Sequence, residues 1–261
     1  MNNKNLFELK NKKIVLTGCF GLLGSEFLNY FLKNGAIVIG IDKKNKKKLP
    51  KSKNFFFYKT DLTDPLKIKN TCNSINKKFK KIDSLINNAA LNESLDFNIN
   101  QNFLNFDLNR FDKFSNINIK AILYLCKNLH SSLKKGGGGS IVNIGSIYGL
   151  VSPDQEIYNE GKNLLNQKNI SYTVTKSALV GLTKHLAIIF AKDKIRVNST
   201  SFGGVKYRQS KSFIKKYSKK TPMKRLAKKN EFNGLVNFLI TKSSSYVTGT
   251  NFIADGGWTS I

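Results

Sequence analysis

Compact apolar runs alternate along this chain with longer stretches in which apolar residues return every three or four positions. The runs KIVLTG, AIVIGI, NFFFYK, IDSLINN, SIVNIG, KIRVNST and NFIADGG are short and rich in β-branched or aromatic residues, which predicts buried strands. A helical period fills the intervals, over 25–33, 65–79, 111–133, the stretch around Tyr172 and a last segment before NFIADGG. Strands separated by helices build βαβ units, so the expected fold class is α/β, a doubly wound parallel sheet with helices on both faces. No linker or internal repeat divides residues 1–261, and a single domain of this length buries roughly three quarters of the surface its unfolded chain exposes. KKGGGGS, from Lys134 to Ser140, leads into a strand and reads as a helix-to-strand turn, because a phosphate cradle must open a helix.

The first strand is set apart by its glycine-rich exit. IVLTGCFGLLGSEFLNYFLKNGAIVIGID sets Gly18, Gly21 and Gly24 after the strand, then a helix, a second strand and Asp42. That order, more than the glycines alone, is the fingerprint of a dinucleotide site in a Rossmann fold. Glycines at such a turn let the backbone approach a pyrophosphate, and the helix N-terminus offers unpaired N–H groups with a favourable dipole. The segment expected to bind cofactor is therefore Gly18, Cys19, Phe20, Gly21, Leu22, Leu23 and Gly24. Asp42 stands where a carboxylate accepts hydrogen bonds from an adenosine ribose and repels a 2′-phosphate, so NAD is expected and NADP disfavoured. The lysines of KKNKKK, from Lys43 to Lys48, either pair with such a phosphate or form a solvated loop.

SYTVTKSALVGLTKHLA sets Tyr172 and Lys176 on one helix face, a spacing that any exposed pair can have. The ordered set TGCFGLLG, LINNAA, INIKA, IVNIGS, YTVTK, IRVNSTSFGGV and ADGGW is more specific. Over nearly its full length the chain resembles the short-chain dehydrogenase/reductase family, in its short single-domain type and with the GxxGxxG form of the glycine turn. GLLGSEF and SIYGLVSPDQEIYN are similar to oxidoreductases of bacterial surface-glycan pathways, including flagellin-glycan and nonulosonic-acid biosynthesis. The resemblance implies an NAD(P)-dependent oxidoreductase that interconverts a secondary alcohol and a ketone on a small polar or sugar-derived substrate. A 3-oxoacyl-carrier-protein reductase is the alternative enzyme, and a non-catalytic nucleotide- or polyanion-binding protein on the same fold is the alternative of another class.

The resemblance also implies roles. Tyr172 becomes the general acid/base and Lys176 its partner, since an unperturbed tyrosine titrates near pH 10 and needs a neighbouring cation to exchange protons near neutrality. Ser146 orients the substrate oxygen, and Asn118 helps to hold the lysine and a water in a relay. Asn88, Ala89 and Ala90 let the cofactor lie close, Asp61 and Leu62 meet the adenine, and Val205 meets the nicotinamide carboxamide. Asp64, before Pro65, is the expected helix cap. Phe202 replaces the proline that relatives usually carry, which should loosen the adjoining turn. Relatives commonly assemble, so a homotetramer or homodimer is expected.

Two segments, 152–169 and 206–220, are expected as loops at the ligand-binding side of the sheet, where they would choose the substrate. The second carries Lys206, Arg208, Lys211, Lys215 and Lys216, which favours an anionic substrate. The formal charge of +28 changes little, because the lysines spread from Lys4 to Lys242 beside an excess of Asn, Ile and Phe, the mixture of an A+T-rich genome. No nucleic-acid-binding motif accompanies them, and no specific nucleic acid partner is expected. Cys19, Cys72 and Cys126 lack paired spacing, and His130 and His185 lack companion ligands, so neither disulfide nor metal is expected. No signal-peptide pattern opens the chain, and no run approaches the roughly 18 apolar residues of a membrane span. The expectation is a soluble, cytoplasmic protein without a membrane partner.

Overall fold

The computed structural model describes residues 5–45, 50–92, 106–158 and 167–261. These residues form strands β1 (Lys13–Thr17), β2 (Ile37–Asp42), β3 (Phe55–Lys59), β4 (Ser84–Asn87), β5 (Ser140–Ser146), β6 (Arg196–Phe202) and β7 (Asn251–Ala254). They make one parallel sheet in the order β3, β2, β1, β4, β5, β6, β7. The order reverses beside β1, which opens a crevice at the C-terminal ends of β1 and β4, where this class of sheet takes its ligands.

The helices are α1 (Leu22–Lys33), α2 (Pro65–Phe79), α3 (Leu108–Ser115), α4 (Ala121–Lys135), α5 (Ile170–Ala191), α6 (Lys211–Lys220) and α7 (Asn233–Ile240). Both faces of the sheet are covered. Val15, Ile39 and Ile41 pack with Ile68 of α2, Leu125 of α4 and Leu179 of α5. Ile14, Leu16 and Val38 point the other way, onto Phe27 and Phe31 of α1 and Val236 and Leu239 of α7. Alternate strand residues thus enter different cores, which is why the strands read as unbroken apolar runs. Each such side chain contributes about 1.5–3 kcal/mol by leaving water.

Local chemistry sets the ends. The Asp64 carboxylate accepts from the N–H groups of Leu66 and Lys67, and Pro65 occupies the first helical position, so α2 begins where the cap placed it. In the KKGGGGS turn Gly137 and Gly138 have φ of 81° and 93°, and a Cβ on Gly138 would lie 2.1 Å from the Lys194 carbonyl oxygen.

Four features differ from the sequence-based expectations. The helix over 111–133 is two helices joined by a wide π-type stretch, Asn116–Lys120, whose extra residue turns Asn118 inward. Helix α1 starts three residues early because Gly21 caps it. The segment 206–220 is largely helical, with the Ser210 hydroxyl accepting from Phe213 N–H to start α6. Finally, α5 has a mean hydropathy of 1.3 and is, among the described residues, the one helix long and apolar enough to cross a membrane. Its buried residues, Thr175, Leu179, Thr183 and Leu186 among them, pack in the fold of this chain. All three cysteines are buried, and burial pushes the Cys72 and Cys126 thiols up to about 12.

Candidate active site

The glycine turn is built for close approach. Gly18 has φ 62°, and a Cβ there would meet Ala89 Cα at 2.9 Å. A Cβ on Gly24 would stand 2.0 Å from the Gly18 carbonyl oxygen. Thr17 ties this turn to LINNAA: its hydroxyl accepts from the N–H groups of Asn88 and Ala89, both at 3.0 Å. The Asn88 amide donates to the carbonyls of Thr17 and Gly18 at 3.0 and 3.2 Å. Helix α1 then begins on Gly21, with no side chain capping it and no acidic residue in its first turn. Its leading N–H groups and the positive end of its dipole are left for an anion, so these residues fit a pyrophosphate. Gly18, Phe20, Gly21, Leu22 and Leu23 line the crevice. Cys19 is buried behind it against Gly40, and Gly24 is buried in the turn, so both shape the crevice from outside its lining.

At the end of β2 the Asp42 carboxylate accepts from Phe20 N–H and Lys44 N–H, each at 3.0 Å, which fixes the loop around the position proposed for a ribose. Asp61 accepts from the Thr63 N–H and hydroxyl, and those bonds hold its carboxyl below the usual range. Asp61, Leu62, Lys43 and Lys44 all line the crevice; Lys46–Lys48 lie outside the described residues.

A cavity of about 600 Å³ runs from Asp42 and Asp61, past the glycine turn and Asn88, Ala89 and Ala90, to Ser146, Tyr172, Lys176 and Val205. Ser146 ends β5 and accepts from Tyr148 N–H at 3.2 Å. Tyr172 and Lys176 lie one turn apart on the buried side of α5. The Lys176 ammonium donates to the Ile144 carbonyl at 2.7 Å and stands 5.7 Å from the centre of the Tyr172 ring. Burial pushes the Tyr172 phenol up and the Ser146 hydrogen bond pulls it back, while burial pulls Lys176 down to about 8. Asn118 is one layer behind: it accepts from Leu91 N–H at 2.9 Å and donates to Thr175 Oγ1 at 3.0 Å, on the helix that carries Tyr172.

The far end of the cavity is aromatic. Tyr158 donates to Tyr148 at 2.8 Å, and Tyr217 accepts from Gly204 N–H at 2.6 Å while stacking on Trp258 with ring centres 4.3 Å apart. The turn after β6 is held, contrary to the expected loosening. Phe202 stacks on Phe232 at 3.9 Å, Gly203 N–H bonds Ala254, and Ala227 N–H bonds Gly204. Ring packing and these bonds tie the turn where relatives usually carry a proline. The Val205 carbonyl accepts from the Gln209 amide at 2.7 Å.

None of Lys206, Arg208, Lys211, Lys215 and Lys216 lines the cavity, which corrects the expectation that they face the substrate. Once α6 forms, its apolar Phe213 and Tyr217 take the inner face and the lysines turn outward. Lys216 instead donates to the Glu156 carbonyl, and Lys220 pairs with Asp154, clasping α6 to the segment before α5. The Tyr172 end of the cavity has a different cation, Lys168, which sequence reasoning did not single out. The helical offset of four from Tyr172 was a signal; its position before the start of α5 obscured it. Thr17 and the Ile144 carbonyl were also missed, the first despite standing inside TGCFGLLG. Of the histidines, His130 bonds Asp193 at 2.8 Å and packs on Phe190, and His185 is exposed.

The chain is similar to known proteins. Residues 23–259 match the family described as enoyl-(acyl carrier protein) reductase. The chain is 30% identical to a 3-oxoacyl-acyl-carrier-protein reductase of Buchnera aphidicola, over 96% of this chain and 98% of that protein. It is 24% identical to post-translational flagellin modification protein A of Campylobacter coli, over 96% of this chain and 99% of the other. A crystal structure of a short-chain dehydrogenase from Leptospira borgpetersenii with bound NAD+ superposes with a TM-score of 0.88 at 32% identity, covering 99% of this chain and 97% of that one.

Proposed function

Because this chain belongs to the short-chain dehydrogenase/reductase family and is an NAD(P)-dependent oxidoreductase, we propose that it interconverts a secondary alcohol and a ketone on a small, polar, sugar-derived substrate. The observation that carries this reading is one continuous cavity with Asp42 at one end and Ser146, Tyr172 and Lys176 at the other. The nicotinamide cofactor, when bound, exchanges a hydride with the substrate carbon. The backbone from Gly18 to Leu23 and the start of α1 hold its pyrophosphate. Asp42, Asp61 and Leu62 hold the adenosine, Asn88, Ala89 and Ala90 give it room, and Val205 meets the carboxamide. Ser146 binds the substrate oxygen and stabilises the charge that develops there. Tyr172 gives that oxygen a proton, or takes one in the oxidative direction, while Lys176 favours the phenolate and holds the nicotinamide ribose. Asn118 positions Tyr172 through Thr175.

The cofactor is NAD, on the strength of Asp42. Replacing Asp42 by Ala removes a charged acceptor, so NADH should bind about tenfold more weakly while the gap to NADPH closes. Calorimetry with both cofactors reads this directly, and a wild-type preference for NADPH would overturn the assignment. The aromatic far wall suits a sugar ring, and the motif resemblance to surface-glycan oxidoreductases supports a substrate of that kind. The Buchnera relative favours a second reading, a carrier-bound 3-oxoacyl substrate. Turnover of a 3-oxoacyl thioester with NADPH, and of no sugar-derived alcohol, would choose it.

The enzyme works as a homotetramer or homodimer in this reading. Leu123 and Tyr124 on α4 and Val174, Ile188 and Ile189 on α5 are exposed apolar side chains on two neighbouring elements. Light scattering should give a mass that is a multiple of 29.4 kDa, and Ile188→Lys should lower it. A monomeric wild type would end this part of the reading.

A further inference from the structure

Among the described residues two lysines are buried, and both stand beside the same tyrosine. Lys176 is the expected partner. Lys168 is nearer: its ammonium lies 4.2 Å from the centre of the Tyr172 ring, against 5.7 Å for Lys176. The Lys168 side chain donates to the Asn92 amide oxygen, and its backbone N–H donates to Gln155 Oε1 at 2.7 Å. Three parts of the chain therefore place this ammonium: the strand exit after β4, the segment before α5, and the first turn of α5 itself. A cation over a ring face is attracted to it, and attracted more strongly once the ring is a phenolate.

We propose that Lys168 is a positioning residue for proton transfer, holding a second ammonium over the Tyr172 ring so that the ring is fixed and its phenolate favoured. This rests on the reading of Tyr172 as the proton-transfer group. Among the described residues, the other groups around that ring do not supply the same charge. Ser146 is neutral. Tyr148, Tyr158 and Tyr217, which face it from the end of β5, the segment before α5, and α6, are pushed well up by burial and stay protonated. Lys176, pulled down to about 8, loses its own charge as the pH rises through that value, and its ammonium is engaged by the Ile144 carbonyl. Lys168 sets a second ammonium over the ring face, nearer to its centre than that of Lys176.

Tyrosine labelled with 13C at Cζ reports ionisation of each ring by NMR, and the Tyr172 signal is the one that disappears in Tyr172→Phe. Lys168→Met should raise the Tyr172 midpoint by about one pH unit, and Lys168→Arg should restore it to within a few tenths. Asn92→Ala, at an exposed position, should move it the same way by removing one acceptor that places the ammonium, which serves if Lys168→Met folds poorly. In the alcohol-oxidising direction, where the phenolate is the active form, the lower limb of the kcat profile should shift with the midpoint while KM stays constant. A midpoint unmoved in both Lys168→Met and Asn92→Ala, or an Arg variant that behaves like Met, would overturn the proposal. Full oxidoreductase activity in Tyr172→Phe would instead overturn the reading on which it rests, and the NMR titration distinguishes the two failures.

Discussion

Phenylalanine in place of Tyr172 is expected to lower kcat by about 10³-fold, within the range that a positioned acid/base supplies, and to leave the affinity for NADH within about twofold. The substitution removes one oxygen and keeps the ring, so its packing among Phe114, Ile147 and Ile157 survives. What is lost is the proton path: Ser146 can still hold the substrate oxygen, and among the described residues no other hydroxyl is placed by both Ser146 and a lysine pair. In the proposed reading cofactor affinity is held elsewhere, by the glycine turn, the α1 N-terminus and Asp42. Turnover of a ketone substrate and calorimetry on the same preparation separate the two effects. Activity within tenfold of wild type would remove Tyr172 from the proton-transfer role, and a large loss of NADH affinity would recast it as a cofactor-binding residue. Ser146→Ala should behave similarly with a smaller loss, because it removes orientation and charge stabilisation and leaves the proton donor.

How far these roles could be read from the sequence depends on the distance over which each signal acts. The sheet was legible because its strands are buried on both faces, so β1, β2 and β5 appear as plain apolar runs. Asp64 and Pro65 marked the start of α2 because a cap is a contact between near neighbours. The Tyr172 and Lys176 pair was legible only with the ordered motifs around it. The inward turn of Asn118 depends on a local widening of the helix, which the apolar period of 111–133 does not register. The lysines of α6 misled for the opposite reason: charge counts record how many cations a segment has and say nothing about which way a helix turns them. Phe202 misled because the stiffness of its turn comes from Phe232 and Tyr217, residues that no local pattern connects to it. Lys168 joins Asn92 and Gln155 across three segments, and such a convergence exists only after folding.

The buried lysine of the pair leads to a second large effect, of opposite sign for stability and for catalysis. An unfolded lysine titrates near 10.4, whereas Lys176 in the folded chain titrates at about 8 because burial disfavours its charge. Below pH 8 both states carry the proton, and the folded state bears the full cost of a buried ammonium. Between about pH 8 and 10.4 the unfolded state binds more protons than the folded one, so this residue makes stability rise with pH; above that window the cost is gone. Lys176→Met should therefore stabilise the cofactor-free protein at pH 7 by on the order of 2 kcal/mol, less than the shift alone implies because the Ile144 carbonyl loses its donor. The advantage should shrink across the window from pH 8 to 10.4, and kcat near neutrality should fall by at least about 10². Denaturant unfolding of both proteins at a series of pH values tests the sign, since a Met variant less stable than wild type at pH 7, or equally favoured at every pH, would mean that Lys176 is not held against its own desolvation. The expected pattern is that of a group kept at a cost to the fold for the chemistry it performs, and it places Lys176 and Tyr172 in the same position: burial works against the charged form of each, and each needs a nearby partner to act at neutral pH.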